Sequence, residues 1–456
     1  MKKEVNMLSG PIMKGLLTIS LPVMVMNVVQ SLFNIVDMTV LKTFDSSGGM
    51  AVGAVGTCST LISLITGLLI GTAAGANVVI AKHIGAGDKD GVERAVGTSV
   101  VFSVLGGAAL AIIGVIFGKT FLTWTNCPES LLEQATLYFR LYFAGSPLLM
   151  LYNFCAAILR STGDSKRPMI FLLSGGVVKI ACNLLFVAVC KWEVLGVALA
   201  TILSWSFSAA LAMIALLKTD SIIRIKRRHL RLYKAELKEI LSIGLPAGLQ
   251  QSMYAIANVI ISATVNTFGA AATTGISIAN TFDNIIYQIA HAPSLAVMPY
   301  VSQNIGNHNV PRAKKAVFDG VMLSLILSGS IGALSAIFSG PLSSIMSSNP
   351  EVIAYSQQKM LIISSTYFIC GINNTLDAAL RGMGKPMVPT VLALIYLCAL
   401  RFIWVYFIFP LYPTLTFLYL VWPIGWTLQL VTLLIFYFPT VKWQTLKHAK
   451  FAPKPE

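Results

Sequence analysis

Twelve apolar runs dominate the sequence, and each is long enough to cross roughly 30 Å of hydrocarbon as a helix of about 20 residues. The runs lie at residues 16–41, 50–75, 94–117, 131–155, 168–191, 194–217, 240–268, 274–300, 315–340, 353–378, 387–410 and 416–439. Only 11% of the residues are charged, whereas soluble domains carry about 25%. We therefore predict an all-α membrane protein with twelve transmembrane helices.

An internal repeat divides these runs into two sets of six. Leu21-Pro22 recurs as Leu245-Pro246, 224 residues later, and several other motifs recur at an offset of 221. Those motifs are Ile84-Gly85 with Ile305-Gly306, Ala95-Val96 with Ala316-Val317, Leu159-Arg160 with Leu380-Arg381, Pro168 with Pro389, and Trp205 with Trp426. Because six is an even number, both halves enter the membrane in the same direction, so we predict two six-helix lobes related by a parallel repeat.

The repeat also suggests a domain organisation and a class of function. We predict an N-lobe at 1–217, a basic cytoplasmic linker at 218–239, a C-lobe at 240–439 and a cytoplasmic tail at 440–456. Transporters built from two parallel halves bind substrate between or within the lobes and expose it to each side in turn by rocking them. A channel or a membrane enzyme requires no such duplication, so transport is the leading interpretation.

Lysine and arginine concentrate on one side of the predicted spans. They lie in the N-terminus, the tail and the loops after every second span, whereas the opposite side carries only Lys42, Lys119 and Lys191. The positive-inside rule then places both termini in the cytoplasm. The net charge of +15 is explained by this topology, and we expect no nucleic-acid partner.

Polar side chains form stripes inside several spans. In the first span, Asn27, Gln30, Asn34 and Asp37 share one helical face. Such stripes face a cavity or the bundle interior, because facing lipid is costly, although single amides are equally well explained by hydrogen bonds between helices. We predict a substrate cavity lined by these stripes and Arg401. Its residues would be Asn27, Gln30, Gln251, Tyr254, Asn258, Asn280, Asp283, Gln288 and Arg401.

Charged residues deep in the spans are the sharpest candidates for function. Asp37 could carry a proton, bind a cation or form a structural ion pair. Lys179 and Arg401 lie near mid-membrane, so each needs a partner or water. Asp283 is as well explained by an interfacial position as by function. His291 could shuttle protons, but a lone histidine in a span is more often a hydrogen-bonded structural residue. No Walker motif, HExxH, GxSxG or Cys/His cluster occurs, so we expect no enzyme, cofactor or metal.

The chain resembles the multidrug and toxic compound extrusion (MATE) transporters over nearly its whole length. Each motif that carries the resemblance is modest alone, but their order and spacing are specific. They are Leu21-Pro22 with Asp37, Ile84-Gly85-Ala86-Gly87, Leu159-Arg160-Ser161-Thr162-Gly163-Asp164, Gly196-Val197-Ala198-Leu199-Ala200-Thr201, Gln303-Asn304-Ile305-Gly306 and Leu380-Arg381-Gly382-Met383-Gly384. The resemblance implies a bacterial inner-membrane exporter that drives amphipathic, often cationic compounds outward in exchange for H⁺ or Na⁺. Its partners would be small-molecule drugs or toxic organic cations, and we expect it to act as a monomer.

The resemblance also implies a coupling site in the N-lobe. In DinF-like relatives, the first-helix aspartate acts with an Asn, an Asp and a Thr, which correspond here to Lys179, Asn183 and Thr201. This chain therefore keeps Asp37 and Thr201 and lacks the second carboxylate, and the glutamate of NorM-like relatives is missing near Tyr254. The expected coupling residues are Asp37, Asn34, Lys179, Asn183 and Thr201.

A lysine beside Asp37 would compete with a metal cation, so we expect H⁺ rather than Na⁺ to couple transport. Lys179 could also face elsewhere and leave Asp37 to carry protons alone. A lipid-linked oligosaccharide flippase is the alternative function, because such flippases have a similar build and a more cationic cavity, to which Lys179 and Arg401 would contribute.

Overall fold

The computed structural model describes residues 5–44, 50–125 and 127–449, which form helices and no strand. The first six predicted spans coincide with helices α1 to α7, the fourth span being broken at Gly145 into α4 and α5. Their bounds are α1 Ile12–Phe44, α2 Met50–Gly85, α3 Lys89–Trp124, α4 Glu129–Ala144, α5 Ser146–Ser161, α6 Lys166–Asn183 and α7 Glu193–Lys218. A wide π-type turn, Leu184–Val189, extends α6.

The last six predicted spans coincide with helices α8 to α17, several of them interrupted. The bounds are α8 Lys234–Asn266, α9 Ala270–Gly306, α10 Val310–Ile337, α11 Ser339–Met346, α12 Pro350–Ser364, α13 Tyr367–Gly382, α14 Met387–Ala393, α15 Leu400–Ile403, α16 Leu415–Tyr419 and α17 Val421–Ala449. The eleventh span is completed by π-type turns at Leu394–Ala399 and Trp404–Ile408 and a 3₁₀ turn at Phe409–Leu411. The all-α architecture with twelve helical spans is confirmed.

The hydropathy of the helices differs between spans. Within the described residues, eight helices are long and apolar enough to cross a membrane, and the pair α4–α5, bent by 43°, makes a ninth. The remaining predicted spans coincide with α8, α9 and the pair α12–α13. These segments carry polar side chains such as Gln251, Asp283 and Lys359, which lower the mean hydropathy of their spans.

The chain packs as two compact units whose bounds differ from the sequence halves. Of the described residues, one unit contains 25–44, 50–125 and 127–248, and the other contains 5–24 and 249–449. The first part of α1 therefore belongs to the second unit, where Leu16 and Ile19 are fully buried in its core. Likewise, the first part of α8 belongs to the first unit, where Gly71 and Gly75 of α2 approach its backbone. The lobe bounds inferred from the sequence stay a prediction.

The internal repeat is visible in the backbone of the turns. Gly163 and Gly384, 221 residues apart, both have positive φ, at 84° and 76°. Gly87 has φ 69° and its counterpart His308 has φ 57°, a conformation that favours glycine and costs other residues some strain. The turn geometry thus repeats even where the residue type has changed.

The linker between α7 and α8 is fastened to the first unit by buried charge. Glu93, near the start of α3, is 4% exposed. Its carboxylate accepts hydrogen bonds from Lys226 at 2.5 Å and Arg228 at 2.9 Å. Gly97 lies against the backbone carbonyl of His229 with no room for a side chain. We define Glu93, Gly97, Lys226, Arg228 and His229 as the linker clasp.

Candidate functional site

A cavity of about 460 Å³ lies within the first unit. Helices α1, α2, α4, α5, α6 and α7 all contribute to its wall, which contains both aromatic rings and hydroxyl groups. Its aromatic and polar lining residues are Gln30, Phe33, Asp37, Ser59, Ser63, Thr66, Tyr138, Tyr142, Lys179, Thr201, Ser204 and Trp205. The volume falls within the range of about 300–1,000 Å³ typical of small-molecule sites.

The ionic centre of this cavity is Asp37. Its carboxylate forms an ion pair with Lys179 and accepts a hydrogen bond from the amide of Asn183 at 2.5 Å. Asp37 is 8% exposed and Asn183 is fully buried. Lys179 therefore faces Asp37, which decides between the two placements left open by the sequence. A carboxylate held by one ammonium and one amide can exchange either partner for a proton or for a cationic ligand.

Two glycines allow α6 to carry Lys179 to this position. Gly175 lies against Ser204 and Ser208 of α7, and a Cβ on Gly176 would collide with the ring of Phe33 on α1. Because residues three and four apart share a helical face, Lys179 follows on the side that Gly175 and Gly176 bring close to α1 and α7. The close approach of the helices places the ammonium beside the carboxylate.

The other N-lobe candidates occupy varied positions. Thr201 lines the cavity, and its hydroxyl donates to the Val197 carbonyl one turn earlier at 2.9 Å. Gln30 also lines the cavity, whereas Asn27 is 8% exposed in α1 and is not among the lining residues. The side chain of Asn34 lies outside the described residues. The structure thus brings together Asp37, Lys179 and Asn183 around one carboxylate.

The second unit contains a second buried ion pair. Lys359 of α12, 3% exposed, lies 2.8 Å from a carboxylate oxygen of Asp283 on α9. The same ammonium donates to the side-chain oxygen of Asn280, and the Tyr367 hydroxyl donates to the backbone carbonyl of Asp283 at 3.2 Å. Asp283 is only 8% exposed, so its side chain is buried among protein atoms rather than merely solvated, while its depth in the membrane stays a prediction.

The remaining C-lobe candidates form separate contacts. Arg401, 3% exposed, donates to Asn258 at 2.8 Å and lies over the ring of Trp422 at 4.8 Å from its centroid. Gln251 hydrogen-bonds Tyr287, whose ring stacks on His291 at 5.8 Å between centroids. Tyr254 and Gln288 are partly buried in α8 and α9. These side chains therefore have structural partners of their own.

Sequence reasoning missed Lys359 and the aromatic wall of the N-lobe cavity. Lys359 lies inside the predicted span 353–378, and a lysine within an apolar run is itself the signal that could have identified it. Tyr138, Tyr142 and Trp205 carry no such signal, because aromatic residues are ordinary in membrane cores. Tyr142 and Trp205 pack edge-to-face at 4.8 Å between ring centroids.

Within the described residues, one group has the geometry of possible metal ligands. Asp90, Glu93 and His229 bring ligand atoms within 4.8 Å of one another. However, the Glu93 carboxylate is already bound by Lys226 and Arg228, and two adjacent cations oppose a third. The cluster is better explained as part of the linker clasp than as a metal site.

Comparison with known families finds the MatE family in two copies. The matches cover residues 22–185 and 246–407, which together make up well over half of the chain. Each copy begins at a proline of the repeated Leu-Pro motif. The family repeat and the repeat read from the motifs are therefore the same feature.

Individual relatives and solved structures agree with this match. The chain is 27% identical to the probable multidrug resistance protein YoeA of Bacillus subtilis, over 82% of each chain. It is 26% identical to the probable multidrug resistance protein NorM of Thermotoga maritima, over 86% of this chain and 84% of the relative. A multidrug resistance MATE transporter solved in an outward-facing conformation shares the fold, with a TM-score of 0.89 at 21% identity over 97% of this chain and 99% of that one.

Proposed function

Because the chain belongs to the MatE family of multi-span membrane transporters, we propose that it is a multidrug exporter that moves amphipathic, often cationic compounds out of the cell by H⁺ antiport. Members of this family are transporters rather than enzymes. The names of its relatives also favour drug export over the oligosaccharide flippase. The substrates would be small-molecule drugs or toxic organic cations.

The observation that carries this proposal is the combination of cavity and charge in the first unit. A carboxylate lies in a pocket of about 460 Å³ walled by Tyr138, Tyr142 and Trp205. Aromatic faces attract organic cations, and the Asp37 carboxylate offers the complementary charge. Such a wall tolerates ligands of different shape, which is what a multidrug exporter requires.

The proposed coupling is competition at Asp37. A proton on the carboxyl group would remove its attraction for Lys179 and for a cationic substrate alike, and would favour release of the substrate. Deprotonation would restore the ion pair seen in the structure. Na⁺ is disfavoured at this carboxylate because the Lys179 ammonium already holds the position a metal ion would need. No cofactor is required in this scheme.

The proposal also includes the orientation of the protein in the membrane and the branch of the family to which it is most similar. The lysine and arginine distribution supports a multi-pass protein of the bacterial inner membrane with both termini in the cytoplasm, acting as a monomer by alternating access. Asp37 and Thr201 are kept, and Tyr254 stands near the position where NorM-like relatives carry a glutamate. The N-lobe site is therefore closer to the DinF-like branch.

The test is dye efflux from a bacterial strain that lacks its own drug pumps, measured at several pH values. The wild type should extrude an ethidium-like cation, and Asp37→Asn should reduce the rate by about tenfold or more, since removing a coupling group removes a step that the other residues cannot supply.

The matched control is Asp220→Asn, the same chemical change at an exposed position in the linker, which should keep wild-type efflux. Efflux that persists in Asp37→Asn would make Asp37 a structural residue and would overturn the coupling scheme. A wild type that extrudes no cation would overturn drug export itself and return the flippase to consideration.

A further inference from the structure

An apolar groove of about 560 Å³ on the second unit has two lysines among its walls. It lies between the start of α10 and the end of α17, with a contribution from α13. Its apolar lining residues are Val317, Phe318, Val321, Leu376, Leu434, Tyr437, Phe438, Val441 and Leu446. Lys314 and Lys442 supply the charge, and none of the described residues that line the groove carries a carboxylate.

We propose that this groove binds one anionic phospholipid, with the phosphate at Lys314 and Lys442 and an acyl chain along Phe318, Val321 and Phe438. The site is separate from the N-lobe cavity and does not depend on the transported substrate. The proposed orientation of the protein decides only in which leaflet the lipid is bound, and it places the lipid in the cytoplasmic leaflet.

The arrangement of the walls matches the two ends of a phospholipid. Lys314 is in the second turn of α10, and Lys442 is within two turns of the end of α17. The apolar residues continue to Val321 on α10 and to Leu434 on α17, which corresponds to roughly 10 Å and 12 Å of helix beyond the lysines. Charge therefore marks the helix ends and apolar surface continues toward the middle of the spans.

The exposed apolar side chains of the groove indicate that a ligand covers them. Phe318 is 62% exposed, Phe438 64% and Leu446 64%, and together they border a concave surface rather than a flat one. Lipid tails cover any apolar surface within the bilayer, but a basic pocket between helices near the cytoplasmic face selects anionic headgroups. The two ammonium groups also oppose a cationic occupant of the groove.

The experiment is native mass spectrometry of the purified full chain with added lipid, supported by the lipid-dependent rise in melting temperature. The probes are phosphatidylglycerol, phosphatidylcholine with the same acyl chains, and glycerol 3-phosphate. The wild type should retain one phosphatidylglycerol in preference to phosphatidylcholine, and Lys314→Gln/Lys442→Gln should lose affinity by about 30-fold, taking about 1 kcal/mol for each lysine.

The control is Lys315→Gln/Lys447→Gln, which removes the same charge from the same two helices at exposed positions outside the groove. It should keep the preference for phosphatidylglycerol. Equal loss in both double variants would show a general charge effect and overturn the site. Equal retention of the two lipids, tight binding of glycerol 3-phosphate alone, or a concentration-dependent dimer that excludes lipid would each overturn it as well.

Discussion

The two units build different sites at equivalent positions of one repeat. At the offsets of the repeat, Asp37 corresponds to Ile261, Lys179 to Leu400, Asn183 to Trp404 and Thr201 to Trp422. An acid, a base, an amide and a hydroxyl in the first unit are thus replaced by two aliphatic side chains and two indoles in the second. Trp404 is 7% exposed and packs in a core with Val421 and Tyr419.

The second unit nevertheless keeps one trace of the same arrangement. Arg401 is one residue beyond the counterpart of Lys179, and it donates to Asn258, the counterpart of Asn34. Its guanidinium lies over Trp422, where the first unit has Thr201. The base is held by an amide and a ring instead of a carboxylate. The only described carboxylate in this unit that pairs with a buried lysine is Asp283, which lies on a different helix, α9.

The internal repeat thus keeps its helices and turns, whereas the charged residues occupy different positions in the two units. A lone charge inside the membrane is costly, so a buried base needs partners: the second unit has its buried ion pair on α9 and α12, and Arg401 is held by an amide and a ring. We expect the N-lobe pair, which lines a cavity, to serve transport, and the Asp283–Lys359 pair to serve stability.

The largest expected effect on stability is therefore in the second unit. Lys359→Met should cost about 3–5 kcal/mol, because it leaves a buried carboxylate without its cation. The free energy of unfolding in mixed detergent micelles measures this. Adding Asp283→Asn to Lys359→Met should recover at least half of the loss. Lys179→Met, beside a cavity that can admit water, should lower the free energy of unfolding clearly less. Equal losses for Lys179→Met and Lys359→Met would contradict the assignment of stability to the second pair and transport to the first.

The next effect concerns the close approach of helices around Lys179. Gly176→Ala should destabilise the protein by about 1–3 kcal/mol through overpacking, because its Cβ would collide with the ring of Phe33, and efflux should fall with it. The second unit has the buried Leu397 at the corresponding position. Thermal unfolding and dye efflux measure the two effects.

Gly329→Ala serves as the control for that substitution, since its Cβ would meet only Phe368, at 3.7 Å. It should be neutral or slightly stabilising. A Gly176→Ala variant as stable and active as Gly329→Ala would show that the glycine does not set the position of Lys179.

A smaller effect is expected on the pH dependence of transport. Lys179→Ala removes the cation that competes with a proton for Asp37, so efflux should persist to higher pH, by about one pH unit if the pair contributes about 1.4 kcal/mol. Dye efflux measured across a pH series at a constant membrane potential checks this. An unchanged pH profile would mean that Lys179 does not compete with the proton.

The smallest effect compares two equivalent helix caps. Asp88 accepts a hydrogen bond from the Gly91 N–H at 2.9 Å, and Asn309 accepts one from the Arg312 N–H at 3.1 Å. Asp88→Ala and Asn309→Ala should each cost about 1 kcal/mol. Melting temperatures of the two variants at neutral pH measure these losses.

Only the Asp88 cap should depend on pH. The Gly91 N–H, with His83 and Arg94, lowers the pKa of Asp88 below 3.8 against the opposing effect of burial. The contribution of the Asp88 cap to stability is therefore complete above pH 3.8, and it is lost as the pH falls through the pKa of Asp88 in the folded state. Asn309→Ala should lower the stability by the same amount in acid and at neutral pH. If Asp88→Ala lowers the stability as much at about pH 2 as at neutral pH, the assignment is contradicted.

Much of the fold could be predicted because its signals are local. A membrane span requires about 20 apolar residues in sequence, and the turns at Gly163 and Gly384 recur as readable motifs. The pairing of Asp37 with Lys179 and Asn183 was accessible only through the family motif, since 142 residues and more separate the partners. The partners of Asp283 and Arg401 had no such guide, because contacts between distant helices leave no periodic pattern.

The bounds of the two packing units illustrate the same limit. Hydropathy shows that α1 and α8 are helices, but it cannot show that Pro22 and Pro246 lie near the points where each helix passes from one core to the other. Residues 5–24 pack with the second unit although they precede the first in sequence. Which core a helical segment joins depends on side-chain fit over its whole surface.

This exchange of helix ends means that the two halves of the sequence are not independent folding units. A fragment ending in the linker would keep α1 but lack Ile240 and Ile243, which are buried in the first unit. A fragment beginning at α8 would lack Leu16 and Ile19, which fill the core of the second. Neither half-gene encodes a complete hydrophobic core, so a split version of this transporter should fold only when both fragments are made together.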